Sequence, residues 1–173
     1  MRKIYCGISL GVVLFVGGCD VEKLADKILP VPSTPVATPS ARMLNPTALE
    51  KSVHEQVNQY RVSRKLPPLS LDPRIIEEAR IHSQNMANGK VPFSHNGFDG
   101  RVDAIARSIS YRGAAENVAY NFGFSDPVRN AVEGWIKSPG HRKNMEGDYN
   151  LTGIGIAKNA KGEYYFTQVF IRT

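Results

Sequence analysis

The sequence predicts an α+β domain over residues 47–173, behind an export signal and a proline-rich segment. The first part of this domain repeats apolar residues with the 3.6-residue period of amphipathic helices. Its last part alternates apolar and polar residues with the two-residue period of strands. Helices followed by strands in one chain favour α+β packing, and the segment is long enough to bury a core.

Residues 1–18 have the pattern of an export signal. Arg2 and Lys3 precede an apolar stretch from Ile4 to Val16, which is shorter than the roughly 18 residues that a membrane span needs. The sequence Val16-Gly17-Gly18-Cys19 resembles a lipobox and implies cleavage before Cys19, with acyl chains on its sulfur and amine. The domain would then be held at the cell membrane, facing the periplasm or the cell exterior. An ordinary secretory signal with a chance cysteine is the alternative.

Cysteine content and charge exclude several classes of function. The two cysteines are Cys6 and Cys19, so processing would leave the domain without a disulfide, a cysteine nucleophile or a cysteine-based metal site. The formal net charge is +6, and loss of Arg2 and Lys3 with the signal leaves +4. That mild basicity suits anionic lipid or envelope polymers. Without a basic stripe interleaved with aromatics, it does not indicate nucleic acid.

Residues 19–46, the tether, include five prolines between Pro30 and Pro46, interspersed with serine and threonine. Proline removes hydrogen-bond donors and favours extended polyproline conformations. The tether is therefore predicted to be a semi-rigid spacer.

Four helices are predicted from capping signals and apolar stripes. Thr47 to Glu50 forms a capping box that starts the first helix, with cations at its C-terminal end from Arg61 to Lys65. The second helix starts at Asp72-Pro73 and ends at Gly89. A third is predicted from Val102 to about Arg107. The fourth runs from Pro127 to Lys137, with Asp126 as its cap and with Val128, Val132 and either Trp135 or Ile136 facing inward.

The C-terminal part of the chain predicts a hairpin. Thr152 to Ile156 alternates small and apolar residues, and Glu163 to Arg172 alternates between two sets of side chains. Turn residues from Asn159 to Gly162 join the two strands.

Three stretches combine residues suited to chemistry. Phe93 to Asn96 and Trp135 to Asn144 each place a histidine, His95 or His141, in a loop just after a helix, and Glu116 lies among small and apolar residues. Two imidazoles and a carboxylate suit a divalent metal such as zinc. The same residues could instead form a hydrogen-bonded cluster, in which each histidine fixes a loop by donating to a backbone carbonyl.

These motifs, in this order, resemble the CAP superfamily of cysteine-rich secretory, antigen 5 and pathogenesis-related proteins, also called SCP-like. The match extends over about residues 53–171. Its motifs are Val57-Asn58-Gln59-Tyr60-Arg61, Leu69-Ser70-Leu71-Asp72, Ser94-His95, Glu116-Asn117-Val118-Ala119, Ser138-Pro139-Gly140-His141-Arg142-Lys143-Asn144, Gly153-Ile154-Gly155 and Thr167-Gln168-Val169-Phe170.

The resemblance implies a three-layer α-β-α sandwich with a small antiparallel sheet, and a cleft that holds His95, Glu116 and His141. Animal and plant members of the family commonly have a second glutamate three residues after the helix tryptophan, and Ser138 occupies that position here. A catalytic pair of carboxylates needs two acids in one cleft, and only Glu116 is placed there by motif.

The leading functional hypothesis is an envelope module that binds a lipid, a glycan or a protein in this cleft. The rival is a metal-assisted hydrolase, peptidase-like, with His95 and His141 as ligands and Glu116 as base. A serine hydrolase using Ser94 or Ser138 is less well supported, because neither serine has a nucleophile-elbow glycine pattern. A structural scaffold is a third alternative.

The remaining residues of interest have mainly structural interpretations. His82 is expected to be a core histidine and His54 a surface one. Arg142 and Lys143 suit either a solvated face or contact with anionic envelope material. Asn144 is expected to hold the His141 loop through backbone hydrogen bonds.

Overall fold

The computed structural model describes residues 47–173, so the predicted export signal, lipidated Cys19 and the tether lie outside the described residues. No helix in the described range is long and apolar enough to cross a membrane. Along this range, helices and strands follow one another in the order α1 (Ala48–Ser63), β1 (Ser70–Leu71), α2 (Pro73–Ala87), α3 (Phe98–Ala106), β2 (Gly113–Asn121), α4 (Pro127–Lys137), α5 (Pro139–Met145), β3 (Leu151–Lys158) and β4 (Tyr164–Arg172).

The capping signals start α1, α2 and α4 where the sequence predicts. The Thr47 hydroxyl accepts from the Glu50 amide, and the Glu50 carboxylate accepts from the Thr47 amide. Asp72 and Asp126 cap α2 and α4. The third helix begins at Phe98, one turn before the predicted Val102.

Arg61 lies in the last turn of α1, as predicted, and its side chain is buried, with 1% exposure. Its guanidinium donates to four backbone carbonyls: that of Met145 at the end of α5, and those of Pro67, Gly147 and Tyr149 in the connections before β1 and β3. It therefore fixes α5 and the loop that follows it against α1.

The sheet has the strand order β1-β3-β4-β2. The predicted hairpin is confirmed as the antiparallel pair β3–β4, and β2 joins the other side of β4, also antiparallel. The short β1 pairs with β3 in parallel, so the sheet is mixed rather than wholly antiparallel as the resemblance implies. β2, which the sequence does not predict as a strand, is therefore an edge strand.

Helices cover both faces of the sheet. Side chains alternate along β4, so Phe166 and Phe170 pack with Trp135 and Met145 of α4 and α5. On the opposite face of β4, Val169 and Ile171 pack against Ile75 and Ala79 of α2 and Ile105 of α3. This arrangement confirms the predicted α+β sandwich of three layers.

Candidate functional site

The edge strand β2 brings the two helical layers together at the candidate site. Glu116 and Asn117 are consecutive and so point to opposite faces of the sheet. The Glu116 carboxylate meets Arg101 of α3, whereas the Asn117 amide meets the backbone of His141 in α5. Because no strand of residues 47–173 pairs with the outer side of β2, residues from both layers can approach each other around this edge.

Glu116 is buried, with 5% exposure, and both of its carboxylate oxygens are occupied. Nε and Nη2 of Arg101 donate to the two oxygens at 2.8 Å each. The same guanidinium donates to the carbonyls of His95 and Asn96 and to Nδ1 of His82. Bidentate charge-assisted bonds of this kind are strong and directional, so Arg101 fixes both Glu116 and the loop that carries His95.

His95 lies in the loop between α2 and α3, as predicted, and half of its side chain is exposed. Its Nδ1 lies 3.0 Å from Glu116 Oε1. The carboxylate can only accept, so Nδ1 carries the hydrogen and Nε2 is left with a free lone pair in the neutral ring. The carboxylate thus sets both the orientation and the tautomer of the ring.

His141 lies in α5 rather than in a loop, which corrects the prediction. Pro139 at the first turn of α5 is compatible with a helix because its missing N–H would be unpaired there. His141 Nδ1 lies 3.0 Å from the hydroxyl of Ser138, the residue at the position of the family's second glutamate. Burial, and then the nearby His95, lowers the pKa of His141 below its usual value, so its ring stays neutral to more acidic pH.

The two imidazoles form a pair across the edge of the sheet, with ring centroids 6.2 Å apart. Asn144 holds the α5 side of this pair by donating to the carbonyl of Glu116 and the amide oxygen of Asn117. The structure therefore brings His95, Glu116 and His141 together, as the resemblance implies. It adds a direct role for Ser138 as the hydrogen-bond partner of His141.

The other two histidines have structural partners. His82 is 3% exposed, accepts from Arg101 and contacts the Ser94 carbonyl at 2.9 Å through Nε2. Burial lowers its pKa, which agrees with the predicted core role. His54 is half-buried rather than on the surface, because its Nε2 contacts the Leu69 carbonyl.

Arg101 is the site residue that sequence reasoning missed. In the sequence nothing separates Arg101 from the other cationic residues, which are expected at the surface, yet in the structure it is only 8% exposed. The available signal was helical spacing: Arg101 lies four residues before the buried Ile105 and so shares its inward face.

Of the side chains at the site, only the two histidines are suited to bind a metal ion. Metal-bound histidines commonly donate their other ring nitrogen to a carboxylate or another oxygen, and His95 and His141 each have such a partner at Nδ1. Within residues 47–173, no group of three or more His, Cys, Asp or Glu side chains could hold a metal ion. The Nε2 atoms of these two rings could hold a divalent ion whose other ligands come from water or a bound molecule.

Residues 54–170 match the model of the cysteine-rich secretory protein family, CAP. Over about 130 residues, the chain is 34% identical to the membrane protein YlbC and 35% identical to the protein YkwD, both of Bacillus subtilis. The two matches include 73% and 72% of this chain, but only 35% of the length of YlbC and 48% of the length of YkwD.

Among solved structures, an outer surface protein of Borrelia burgdorferi superimposes with a TM-score of 0.62 at 16% identity. The match covers 75% of this chain and 96% of the Borrelia protein. At that identity the likeness concerns the fold alone, and it agrees with the three-layer architecture. The family model, by contrast, matches well over half of the chain. The chain therefore belongs to the CAP family of cysteine-rich secretory proteins.

Proposed function

We propose that this chain is a lipid-anchored, extracytoplasmic binding module that holds an envelope ligand, a lipid, a glycan or a protein, in the cleft of His95, Glu116 and His141. The anchor is supported by the export pattern and by Val16-Gly17-Gly18-Cys19. Its envelope location is supported by relatives named as a membrane protein and an outer surface protein.

The hydrogen bonds from Arg101 to both oxygens of Glu116 are the observation that favours a binding function over a hydrolytic one. A general base must reach the proton that it removes and must have a free lone pair directed at it. Both oxygens of Glu116 instead accept from Arg101 and His95, and its side chain is only 2% exposed. Ser138 replaces the second acid with a neutral hydroxyl, so no carboxylate in the cleft is free to act as a base.

A metal-assisted hydrolase remains the second candidate, because the carboxylate at Nδ1 of His95 leaves Nε2 of that ring available as a ligand. The Ser138 hydroxyl can accept from Nδ1 of His141, and in that tautomer Nε2 of His141 is available too. A divalent ion bound there would supply Lewis acidity and a more acidic bound water. In that case Glu116 would act by orienting His95, and Ser138 by orienting His141.

Zinc added to the metal-stripped chain is expected to bind saturably at neutral pH and more weakly as the pH falls. Protonation of the imidazoles removes the lone pairs that bind the ion. The loss of binding should follow protonation of the imidazoles, which for unperturbed histidines occurs near about pH 6.5, and the pKa of His141 is lowered from that value by burial. Calorimetric titration at two pH values measures this.

Substitution in the cleft should weaken zinc binding selectively. His95→Ala and His141→Ala each remove a ligand, whereas His82→Ala should mainly lower stability. Glu116→Gln separates two roles: weaker binding indicates support of a ligand, while unchanged binding with loss of hydrolysis of a test peptide or ester indicates a base. Unchanged binding in both alanine variants, or no saturable heat with the unsubstituted chain, would rule out the metal site.

Cys19→Ala is expected to abolish covalent acylation and leave either an unprocessed precursor or a soluble product. The thioether cannot form without the sulfur, and stable anchoring needs more than one lipid chain or a second membrane signal. Metabolic labelling with a fatty acid measures this, with Cys6→Ala as the control that should keep its label. Equal labelling of the Cys19→Ala and unsubstituted chains would refute the anchor.

A further inference from the structure

An aromatic patch lies beside the cleft, formed by Phe93, Tyr120, Phe122 and Tyr165. Phe93, Tyr120 and Phe122 are 50%, 43% and 59% exposed. The ring of Tyr120 lies 6.1 Å from that of Phe93 and 5.2 Å from that of Tyr165, between centroids. Phe122 packs on the β3–β4 turn, where its ring lies 3.6 Å from the position that a Cβ on Gly162 would occupy. Clustered exposed aromatic rings commonly mark interaction sites.

A carboxylate with a fixed set of partners lies among these rings. Glu163 accepts hydrogen bonds from the hydroxyls of Tyr120 and Tyr165, at 2.9 and 3.4 Å, and from the side-chain amide of Asn159. The bond from Asn159, followed by that from Tyr120, lowers the pKa of Glu163 below its usual value. The patch therefore presents apolar ring faces together with a carboxylate, which Lys161 also stabilises, and oriented polar groups.

This combination disfavours a lipid surface as the partner. Insertion of the rings among lipid chains would carry the Glu163 charge and two tyrosine hydroxyls toward an apolar medium, which is costly. A sugar ring, in contrast, offers an apolar C–H face that can stack on an aromatic ring and a rim of hydroxyls that can donate to a carboxylate.

We propose that the aromatic patch binds a neutral glycan chain by stacking sugar rings on Tyr120, Phe93 and Phe122. Glu163, unlike the buried Glu116, is partly exposed, so the lone pair that its three partners leave free can accept a hydrogen bond from a sugar hydroxyl. The patch adjoins the cleft, since Phe93 lies two residues before His95 and Tyr120 shares its strand face with Glu116, about 13 Å away. The inference rests on the proposed function and deepens it by naming the ligand class as glycan.

Calorimetric titration of the full chain, purified from membranes in detergent, with cellotetraose and with the tetramer of β-1,4-linked N-acetylglucosamine tests this proposal. At least one oligosaccharide should bind saturably. Phe122→Ala and Tyr120→Ala should each weaken binding by about fivefold or more, because each removes a stacking ring. Tyr111→Ala provides the matched control: Tyr111 is 39% exposed but precedes the opposite end of β2, and its substitution should change nothing. Circular dichroism checks that every variant is folded.

Three results would overturn the glycan proposal. These are no saturable binding of either oligosaccharide, unchanged affinity in both patch variants, or patch-dependent binding of the Cys19→Ala chain to phosphatidylglycerol vesicles in place of the sugars. A result that contradicts ligand binding in the cleft would differ from these three. In that case the oligosaccharides would still require Phe122 and Tyr120, while His95→Ala and His141→Ala would leave every bound species unchanged.

Discussion

Replacing Arg101 with methionine is expected to lower the free energy of unfolding by about 3–5 kcal/mol, because it leaves the buried Glu116 carboxylate without its charged partner. The substitution also removes the donors to the carbonyls of His95 and Asn96, so the loop that carries His95 should loosen. Urea denaturation measures the change. Arg129→Met is the matched control, since Arg129 pairs with Glu133 at an exposed site and such pairs contribute about 0–1 kcal/mol.

The double variant Arg101→Met, Glu116→Met distinguishes a lost ion pair from a lost packing contact. Removal of both charges eliminates the unpaired carboxylate, so the double variant should be more stable than Arg101→Met alone. Equal losses in Arg101→Met and Arg129→Met would contradict the assignment of Arg101 as the buried clamp of the site.

Replacing Gly155 with alanine is expected to destabilise the domain by about 3 kcal/mol or more, at or above the upper end of ordinary overpacking. A Cβ at this position would lie 2.2 Å from the backbone of Ala79 and Arg80 in α2. A helix backbone cannot move aside as a flexible side chain can, so α2 would have to shift off the sheet. Because α2 leads into the loop that carries His95, the site should also be disturbed.

Gly134→Ala is the matched control for this prediction. Gly134 lies inside α4, and a Cβ there would meet nothing within 4 Å. Alanine should therefore stabilise the helix by about 0.5–1 kcal/mol. Thermal or urea denaturation of both variants gives the comparison, and similar stabilities for Gly155→Ala and Gly134→Ala would show that α2 does not lie as close to β3 as described.

Elements with local signals could be predicted from the sequence. Thr47, Asp72 and Asp126 act through contacts within a few residues along the chain, and such contacts leave a pattern in the sequence. The hairpin β3–β4 combines two alternating segments with a turn that accepts positive φ at Gly162. Local chemistry therefore accounts for α1, α2, α4 and the hairpin.

β2 and α5 lacked such signals. β2 is covered on both faces near Glu116 and Asn117, which are both buried, so its residues do not alternate between apolar and polar. In α5, Pro139-Gly140 resembles a turn, although proline is tolerated in the first helical turn. The placement of His141 in a loop was wrong for this reason.

The candidate site could be predicted only in part. The family motif indicated His95, Glu116 and His141, and the structure brings these three together. Their chemistry depends on Arg101, which lies 15 residues from Glu116 in the sequence and is brought to it by the packing of α3. Long-range pairing of this kind leaves no local pattern in the sequence. The hydrogen bonding of Glu116 by Arg101 therefore could not be inferred from the motif.

Native mass spectrometry of the full chain, purified from membranes under non-denaturing conditions, tests most directly whether the cleft is a binding site. The account predicts that the unsubstituted chain carries an additional bound species, a metal ion or an envelope ligand, and that the double variant His95→Ala, His141→Ala lacks it. Arg129→Met, which replaces an exposed side chain paired with Glu133, should retain the species. The same bound mass on the double variant, or no bound species on the unsubstituted chain, would contradict the account.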